Sequence, residues 1–329
     1  MKAGKLSESM LSRSVLKQLH SKNDRVLIGP GYGMDAAIIS MEEEESVALS
    51  VDPITLSGVH AGLRAANHAL NNVAAAGAKP IGILESVILP TDSNETELRA
   101  MIKEMDTVCA EHGAQIFGGH TEVSRAVKEP LLTITGVGVV KSREPLSAAE
   151  MKPGMDIIVT KWIGLEGSAV IAAEKEKELR TRYSQPFLDK AQAFITQLSV
   201  VPEAAVAVKS GVSAMHDASE GGIFGALWEM AEAAGVGLEI DIKKIPIRQE
   251  TIEICEFYDV NPYKLMSGGA MLMAAADGSA LLRALEVAGI PAAMIGKATD
   301  SNDRILLCDG ERRFLETAQT DELYHVFTK

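Results

Sequence analysis

Short apolar segments with strand-like composition alternate with longer segments of helical periodicity along this sequence. After a short helix predicted over 6–20, strands are predicted over 26–28, 36–40 and 46–51, and an Ala-rich helix over 59–76 follows them. This alternation favours a mixed α/β or α+β fold, in which helices cover the faces of a sheet.

The segment 141–155 is the best candidate for a domain boundary. It is polar, contains Pro145, Pro153 and Gly154, and precedes a new strand predicted over 156–160. Beyond it the alternation resumes, with helices predicted over 166–179, 186–198 and 222–234. The sequence therefore predicts two domains of similar size, 1–148 and 149–329, in agreement with a length of 329 residues.

The charge balance disfavours nucleic acid as a partner. The chain carries 32 Lys and Arg against 45 Asp and Glu, a net charge of −13, and it has no run of basic residues. No stretch reaches about 18 apolar residues, and no apolar signal segment opens the sequence, so we expect a cytoplasmic protein without a membrane span. The scattered Cys109, Cys255 and Cys308 are expected to be reduced, forming neither a disulfide nor a zinc site.

Three aspartates are candidate metal ligands because of where they stand along the chain. Asp35 follows the glycine-rich segment 29–33, Asp52 is expected to end the strand of 46–51, and Asp217 to end a strand over 212–215. Carboxylates at strand ends often border a cleft, and a few that converge can hold Mg²⁺. The alternatives are structural: Asp52 could begin a turn with Pro53, and Asp217 could cap the following helix.

Two glycine-rich segments are candidate phosphate sites. The segment HDASEGG (216–222) places His216 and two glycines before the helix of 222–234, whose first amides would be free for a phosphate. His216 is compatible with a general base and equally with a structural histidine. The segment GGHTE (118–122) predicts a second glycine turn after a strand over 114–117. Neither GxGxxG nor GxxxxGK[ST] occurs, so ordinary Rossmann and P-loop binding are disfavoured.

The order of these motifs resembles the superfamily of aminoimidazole ribonucleotide (AIR) synthetase, selenophosphate synthetase, thiamine-monophosphate kinase and the hydrogenase-maturation protein HypE. The resemblance extends over nearly the whole chain, and the later segments IPIRQE and NPYKLMSGG are most similar to HypE. The matching segments are GMDAAI (33–38), SVD (50–52), NNVAAAGAKP (71–80), GGHTE (118–122), KPGMDIIVT (152–160) and HDASEGGIFGALWEMAEAAGVG (216–237).

The resemblance implies two α/β domains, a homodimer formed by the N-terminal domain, and ATP bound through Mg²⁺. The implied chemistry moves the γ-phosphoryl group of ATP to an amide-type oxygen or another small acceptor, and the expected partner besides ATP is an unidentified small acceptor or a maturation protein. It implies metal ligation by Asp35, Asp52, Asn72 and Asp217, and catalytic roles for Asp52, His216 and Asp217. The implied nucleotide-binding residues are Gly33, Asp35, Asn72, Gly118, Gly119, Thr121, Glu122, Gly221 and Gly222.

The sequence departs from the family pattern at three places. Met34 replaces the first acid of an Asp-Asp pair, and Asn72 replaces an aspartate. The printed sequence ends in YHVFTK, whereas HypE ends in the cysteine that carries its carbamoyl group. We therefore expect an acceptor different from that of HypE. The alternatives are a non-catalytic nucleotide-binding maturation or assembly factor, and a small-molecule kinase.

Overall fold

The computed structural model of the chain describes residues 26–28, 31, 34–41, 45–56, 58–141, 146–317 and 320–328. The helix predicted over 6–20 and the candidate Gly33 lie outside these residues.

The first half of the chain forms a six-stranded sheet covered by helices on one face. Its strands are β1 (Val26–Ile28), β2 (Ala37–Ser40), β3 (Ser46–Ile54), β4 (Lys79–Leu89), β5 (Gln115–Val123) and β6 (Leu131–Val140), in the order β1-β2-β3-β6-β4-β5. The helices α1 (Ala61–Ala75) and α2 (Glu95–Glu111) pack on it through buried residues such as Leu70 and Met105, against Ile83 and Ile134 of the sheet. Burial of these apolar side chains away from water stabilises this half.

The second half forms a seven-stranded sheet with helices around it. Its strands are β7 (Asp156–Thr160), β8 (Ala214–Ala218), β9 (Gly237–Asp241), β10 (Ala270–Ala275), β11 (Ala292–Thr299), β12 (Arg304–Cys308) and β13 (Glu311–Phe314), in the order β13-β12-β9-β11-β7-β10-β8. Its helices are α3 (Leu165–Glu174), α4 (Glu176–Leu179), α5 (Gln185–Gln192), α6 (Val201–Lys209), α7 (Gly222–Ala234), α8 (Gln249–Tyr258), α9 (Gly278–Val287) and α10 (Glu322–Thr328).

The two halves meet where α1 packs on the edge strand β8. Every residue of β8 is buried although the strand lies at the edge of its sheet. Ala74 and Ala75 of α1 share a core cluster with Met215 of β8. Small residues on α1 let the two backbones approach, so side chains from both halves reach a common site.

The predicted mixed fold class is confirmed, because strands and helices interleave in two sheets. The sheets divide the chain between Val140 and Asp156, inside the predicted boundary segment. The boundary at 148/149 itself stays a prediction.

Two of the predicted strand ends are wrong, and both errors concern candidate ligands. β3 continues through Pro53 to Ile54, and β8 covers Asp217 and Ala218. The pairing of β3 with β2 ends at Leu49, and among the described residues the rest of β3 pairs with β6 alone. Pro53 is tolerated there since its missing N–H faces no second strand. Asp52 and Asp217 therefore lie within strands, and Asp52 begins no turn.

The predicted glycine turn at 118–122 is also wrong. β5 runs on through this segment, pairing in parallel with β4 as far as Val123. Pairing with an existing strand satisfies its backbone groups, so the segment stays within the strand, with an irregular register at Gly118, whose φ is +151°. The helix predicted over 166–179 breaks at Lys175 into α3 and α4.

Within the described residues, no single helix combines the length and apolar character of a membrane span. Taken together, the helical segments 185–197 and 201–209, which meet at a bend of 50°, have the length and apolar composition of a span, and nothing beyond length and composition supports that reading.

Candidate active site

The three predicted aspartates converge where the halves of the chain meet. Asp52 lies on the face of β3 that α1 covers, Asp35 precedes β2, and Asp217 lies in β8. Burial, with the nearby negative charges of Asp35 and Asp52, raises the pKa of Asp217 to about 7 against the opposing effect of His68 and His216. The structure thus brings together acids that are far apart in the sequence.

Asp217 is the most unusual member of this group. It is 3% exposed, and neither of its carboxylate oxygens has a hydrogen-bond partner among the described residues. A buried carboxylate without donors is costly unless a cation compensates it. Mg²⁺ prefers such hard oxygen ligands and commonly takes one or two carboxylates. The residues present therefore fit a magnesium ion.

Asp35 is held in place by the segment that carries Asp217. Both of its carboxylate oxygens lie 2.8 Å from Nδ1 of His216, and Oδ2 accepts a hydrogen bond of 3.2 Å from the backbone amide of Asp217. The other ring nitrogen of His216 lies 3.0 Å from Glu229 of α7. A histidine between two carboxylates fixes the orientation of the acid that it contacts.

This arrangement favours a positioning role for His216 over a general base. Burial lowers its pKa, but the charges and hydrogen bonds of Asp35 and Glu229 outweigh burial and raise it to about 10. Both ring nitrogens then carry protons directed at carboxylates, so the ring has no free lone pair with which to accept a proton.

Asp52 stands at the end of another series of polar contacts, which runs from the first half of the protein to the second. Asn72 donates to its Oδ2 over 3.2 Å, and Nδ1 of His68 lies 3.6 Å from the same oxygen. Nε2 of His68 lies 2.7 Å from Glu166 of α3, whose other oxygen accepts a 2.8 Å hydrogen bond from Arg64.

Charge pairing among His68, Glu166 and Arg64 outweighs the cost of burying them. Burial lowers the pKa of His68, yet Glu166 and Asp52 raise it well above its ordinary value. Burial likewise raises the pKa of Glu166, but His68 and Arg64 bring it down to about 2. His68 therefore stands beside Asp52 as a cation.

The GGHTE segment does not join this cluster within one chain. β5 is exposed along Gly118, Gly119, Thr121 and Glu122, and it lies three strands from β3, at about 14 Å for ordinary strand spacing. Thr121 donates to Glu85 of β4 over 3.4 Å. Desolvation raises the pKa of Glu85.

The glycines before α7 are packed against protein groups. The amide of Gly221 donates to the buried carboxylate of Asp321 over 2.6 Å. A Cβ atom on Gly222, whose φ is +64°, would lie 2.6 Å from the carbonyl oxygen of Tyr263. The amide of Gly221 is thus already satisfied, and the assignment of Gly221 and Gly222 to a phosphate stays a prediction.

The protein groups alone do not form a complete metal cage. In the described part of the chain, no three His, Cys, Asp or Glu residues are arranged to hold an ion together. The cavity beside Asp35 measures about 10 Å³, about the size of one water molecule, and cannot enclose a nucleotide. The side chains of Asp52 and Asp35 are 24% and 12% exposed, so a ligand would reach them from the open side.

Sequence reasoning missed four residues of this site, namely Arg64, His68, Glu166 and Glu229. One signal was available: positions 64, 68 and 72 carry polar residues four apart on an otherwise Ala-rich helix, which places them on one face. Nothing local pointed to Glu166 or Glu229.

Comparison with known proteins assigns the chain to a family. The family model described as "AIR synthase related protein, N-terminal domain" matches residues 33–140, and the corresponding C-terminal domain matches 152–309. A selenide, water dikinase of Clostridioides difficile is 30% identical over 260 residues, which cover 77% of this chain and 72% of that protein. The chain therefore belongs to the AIR synthase related family.

Within this family the chain is similar to hydrogenase-maturation proteins. A putative hydrogenase expression/formation protein of Methanocaldococcus jannaschii is 27% identical over 313 residues, 92% of this chain and 91% of that one. The crystal structure of HypE in complex with ATP superposes with a TM-score of 0.72 at 18% identity, over 98% of this chain and 97% of that chain. The structure of a HypE–HypF complex gives 0.74 at 22% identity, over 86% and 93%. At these identities the two structures establish a shared fold.

Proposed function

We propose that this protein is an ATP- and Mg²⁺-dependent enzyme that transfers the γ-phosphoryl group to an amide-type or other small acceptor, in the manner of HypE. The observation that carries the proposal is Asp217, a buried carboxylate beside Asp35 and Asp52 with no donor on either oxygen among the described residues. Similarity to the HypE structure that contains ATP supports the choice of nucleotide.

Each residue of the site has a role in this proposal. Asp217 and Asp52 would hold Mg²⁺, Asn72 orients Asp52, and His216 keeps Asp35 beside them. When bound, the ion would neutralise phosphate charge, which is the main requirement of phosphoryl transfer. Since the protein supplies fewer ligands than the ion needs, phosphate oxygens and water would complete its coordination.

A homodimer is part of the proposal. α1 and α2 cover one face of the first sheet, while on its other face and its β5 edge the described residues leave Val51, Leu84, Phe117 and Val123 exposed. Such a set of exposed apolar side chains on one sheet is typical of an interface. A second copy docked there would also bring its own β5, with the GGHTE segment, to the interface.

The direct test is Mg²⁺-dependent ATP turnover by the purified chain over a panel of amide and small-molecule acceptors. Asp217→Asn should abolish turnover, whereas Asp92→Asn, at an exposed aspartate, should leave it unchanged. Turnover that persists in Asp217→Asn would refute the role of this site.

A second candidate function is nucleotide binding without turnover, in a maturation or assembly complex. Two observations favour it: Asn72 contributes no charge, and His68 places a cation beside Asp52. The HypE–HypF complex shows that a protein of this fold assembles with a partner. Calorimetry with a non-hydrolysable ATP analogue, in parallel with the turnover assay, distinguishes the two functions.

A further inference from the structure

We propose that Asp321 is a positioning residue for the reaction: its buried carboxylate joins the loop after Asp217 to α10, and α10 in turn contacts the segment after Asp52. This inference rests on the proposed function and adds to it a residue outside the cluster of acids and histidines described above.

The first step is the set of contacts that Asp321 makes. The residue is 1% exposed, and its Oδ2 accepts a hydrogen bond of 2.6 Å from the amide of Gly221. Its Oδ1 accepts from the amides of Met266 over 3.1 Å and Leu323 over 2.8 Å. The contact with Leu323 is ordinary capping of α10. The other two contacts join α10 to the loop after β8 and to the segment before β10.

The second step concerns the loop that this carboxylate holds. Asp217 stands four residues before Gly221, in a strand that has β10 as its one pairing partner among the described residues. A second contact holds the loop at Ser219, whose carbonyl accepts the amide of Ser267 over 3.0 Å. Because no second strand pairs with β8, the position of its end relative to the first half depends on contacts of this kind.

The third step is that α10 also reaches the first half of the protein. The hydroxyl of Tyr324 lies 3.0 Å from Oγ1 of Thr55, three residues beyond Asp52. Leu56 packs against the apolar cluster that contains Leu323. One short helix thus contacts the segments that leave both β3 and β8, the strands of two candidate ligands.

The fourth step is that capping alone does not require an acid at this position. Serine or asparagine also caps helices well. Burial raises the pKa of Asp321 to about 7 against the opposing effect of its amide donors, so the ionised side chain is costly. A carboxylate differs from those caps in offering two acceptor oxygens. Holding Gly221 and Met266 at the same time therefore needs the acid.

The test compares the parent chain with Asp321→Asn. Asparagine has a single acceptor oxygen, so this variant loses either the contact with Gly221 or the other two amides. The matched control is Asp277→Asn, which changes an exposed capping aspartate at the start of α9. Each protein is measured for thermal unfolding, for kcat, and for the affinity of Mn²⁺, as a stand-in for Mg²⁺, in the presence of a saturating non-hydrolysable ATP analogue.

Asp321→Asn should lower kcat and weaken Mn²⁺ binding, each by at least about tenfold, as is typical when the support of a metal ligand is removed. Asp277→Asn should keep both values. A loss of thermal stability alone in Asp321→Asn, with kcat and Mn²⁺ affinity equal to those of the parent, would overturn the inference and leave the proposed function intact. If the parent binds nucleotide and Mn²⁺ without turnover, the Mn²⁺ affinity alone decides. A parent that neither turns over ATP nor binds Mn²⁺ would contradict the proposed function, and the inference would fall with it.

A second variant tests the opposite side of α10 and keeps its buried core. Tyr324→Phe removes the hydroxyl that contacts Thr55 and should weaken Mn²⁺ binding by about threefold, the ordinary effect of one hydrogen bond. Its control is Tyr258→Phe, which removes a hydroxyl 3.3 Å from Glu178 and should leave the affinity unchanged. If Asp321→Asn does not fold, equal Mn²⁺ affinities in the two tyrosine variants would overturn the inference.

Discussion

Replacing Asp217 with asparagine removes a buried charge while keeping the shape of the side chain. Burial, with Asp35 and Asp52 nearby, raises the pKa of this carboxyl from 3.8 to about 7 in the folded chain. The folded state therefore binds the proton more tightly than the unfolded state, and the ionised group destabilises the fold. The cost is absent below pH 3.8, grows up to about pH 7 and is constant above it.

The size of this effect follows from the shift of the pKa. A shift of about three units corresponds to about 4 kcal/mol at pH 8. At pH 5 the same group costs only about 1.5 kcal/mol, because it is largely protonated in the folded state. Asp217→Asn should thus gain stability relative to the parent chain by about 2.5 kcal/mol more at pH 8 than at pH 5.

The assay is urea unfolding of both proteins at several pH values, without metal. Burying the new amide also costs free energy, but this cost does not depend on pH. It therefore cancels when the stability difference between variant and parent is compared at two pH values. Asp92→Asn, at an exposed aspartate, is the control and should follow the parent. A difference between Asp217→Asn and the parent that does not change with pH would refute the view that this carboxylate is ionised, buried and uncompensated.

Two further predictions concern the packing that supports the site. Glu166→Gln leaves its two buried basic partners, Arg64 and His68, without a counter-charge and should cost about 3–5 kcal/mol in urea unfolding. The control Glu95→Gln, in an exposed ion pair, should cost less than about 1 kcal/mol. Equal costs would contradict the buried pairing of Glu166. In Gly222→Ala the new Cβ atom would clash with backbone atoms at a position of positive φ, which should cost about 3 kcal/mol of stability in thermal unfolding. Gly235→Ala, at a similar φ but in open space, should cost about 1 kcal/mol. Similar losses in the two variants would show that Gly222 is not closely packed.

Strands and helices with complete local signals were predictable to the residue. β7 and α7 have the predicted bounds, since a β-branched run defines the strand and glycines flank the helix. The ends of β3 and β5 were not predictable, because they depend on how far β6 and β4 accompany them. Pairing with a neighbour carries β3 through a proline and β5 through two glycines that locally favour turns.

The sequence by itself determined which residue types are available to the site. Spacing and family motifs pick out Asp35, Asp52 and Asp217, and polar residues four apart along α1 place 64, 68 and 72 on one face. The tertiary structure alone decided what these residues contact. Glu166 reaches His68 across 98 positions of the chain, and it does so because α1 packs between two sheets. Burial then sets the electrostatics, since a carboxylate that has an ordinary pKa in water is perturbed once the two halves of the chain exclude water from it. Asp217 becomes costly to ionise, and Glu166 becomes strongly paired.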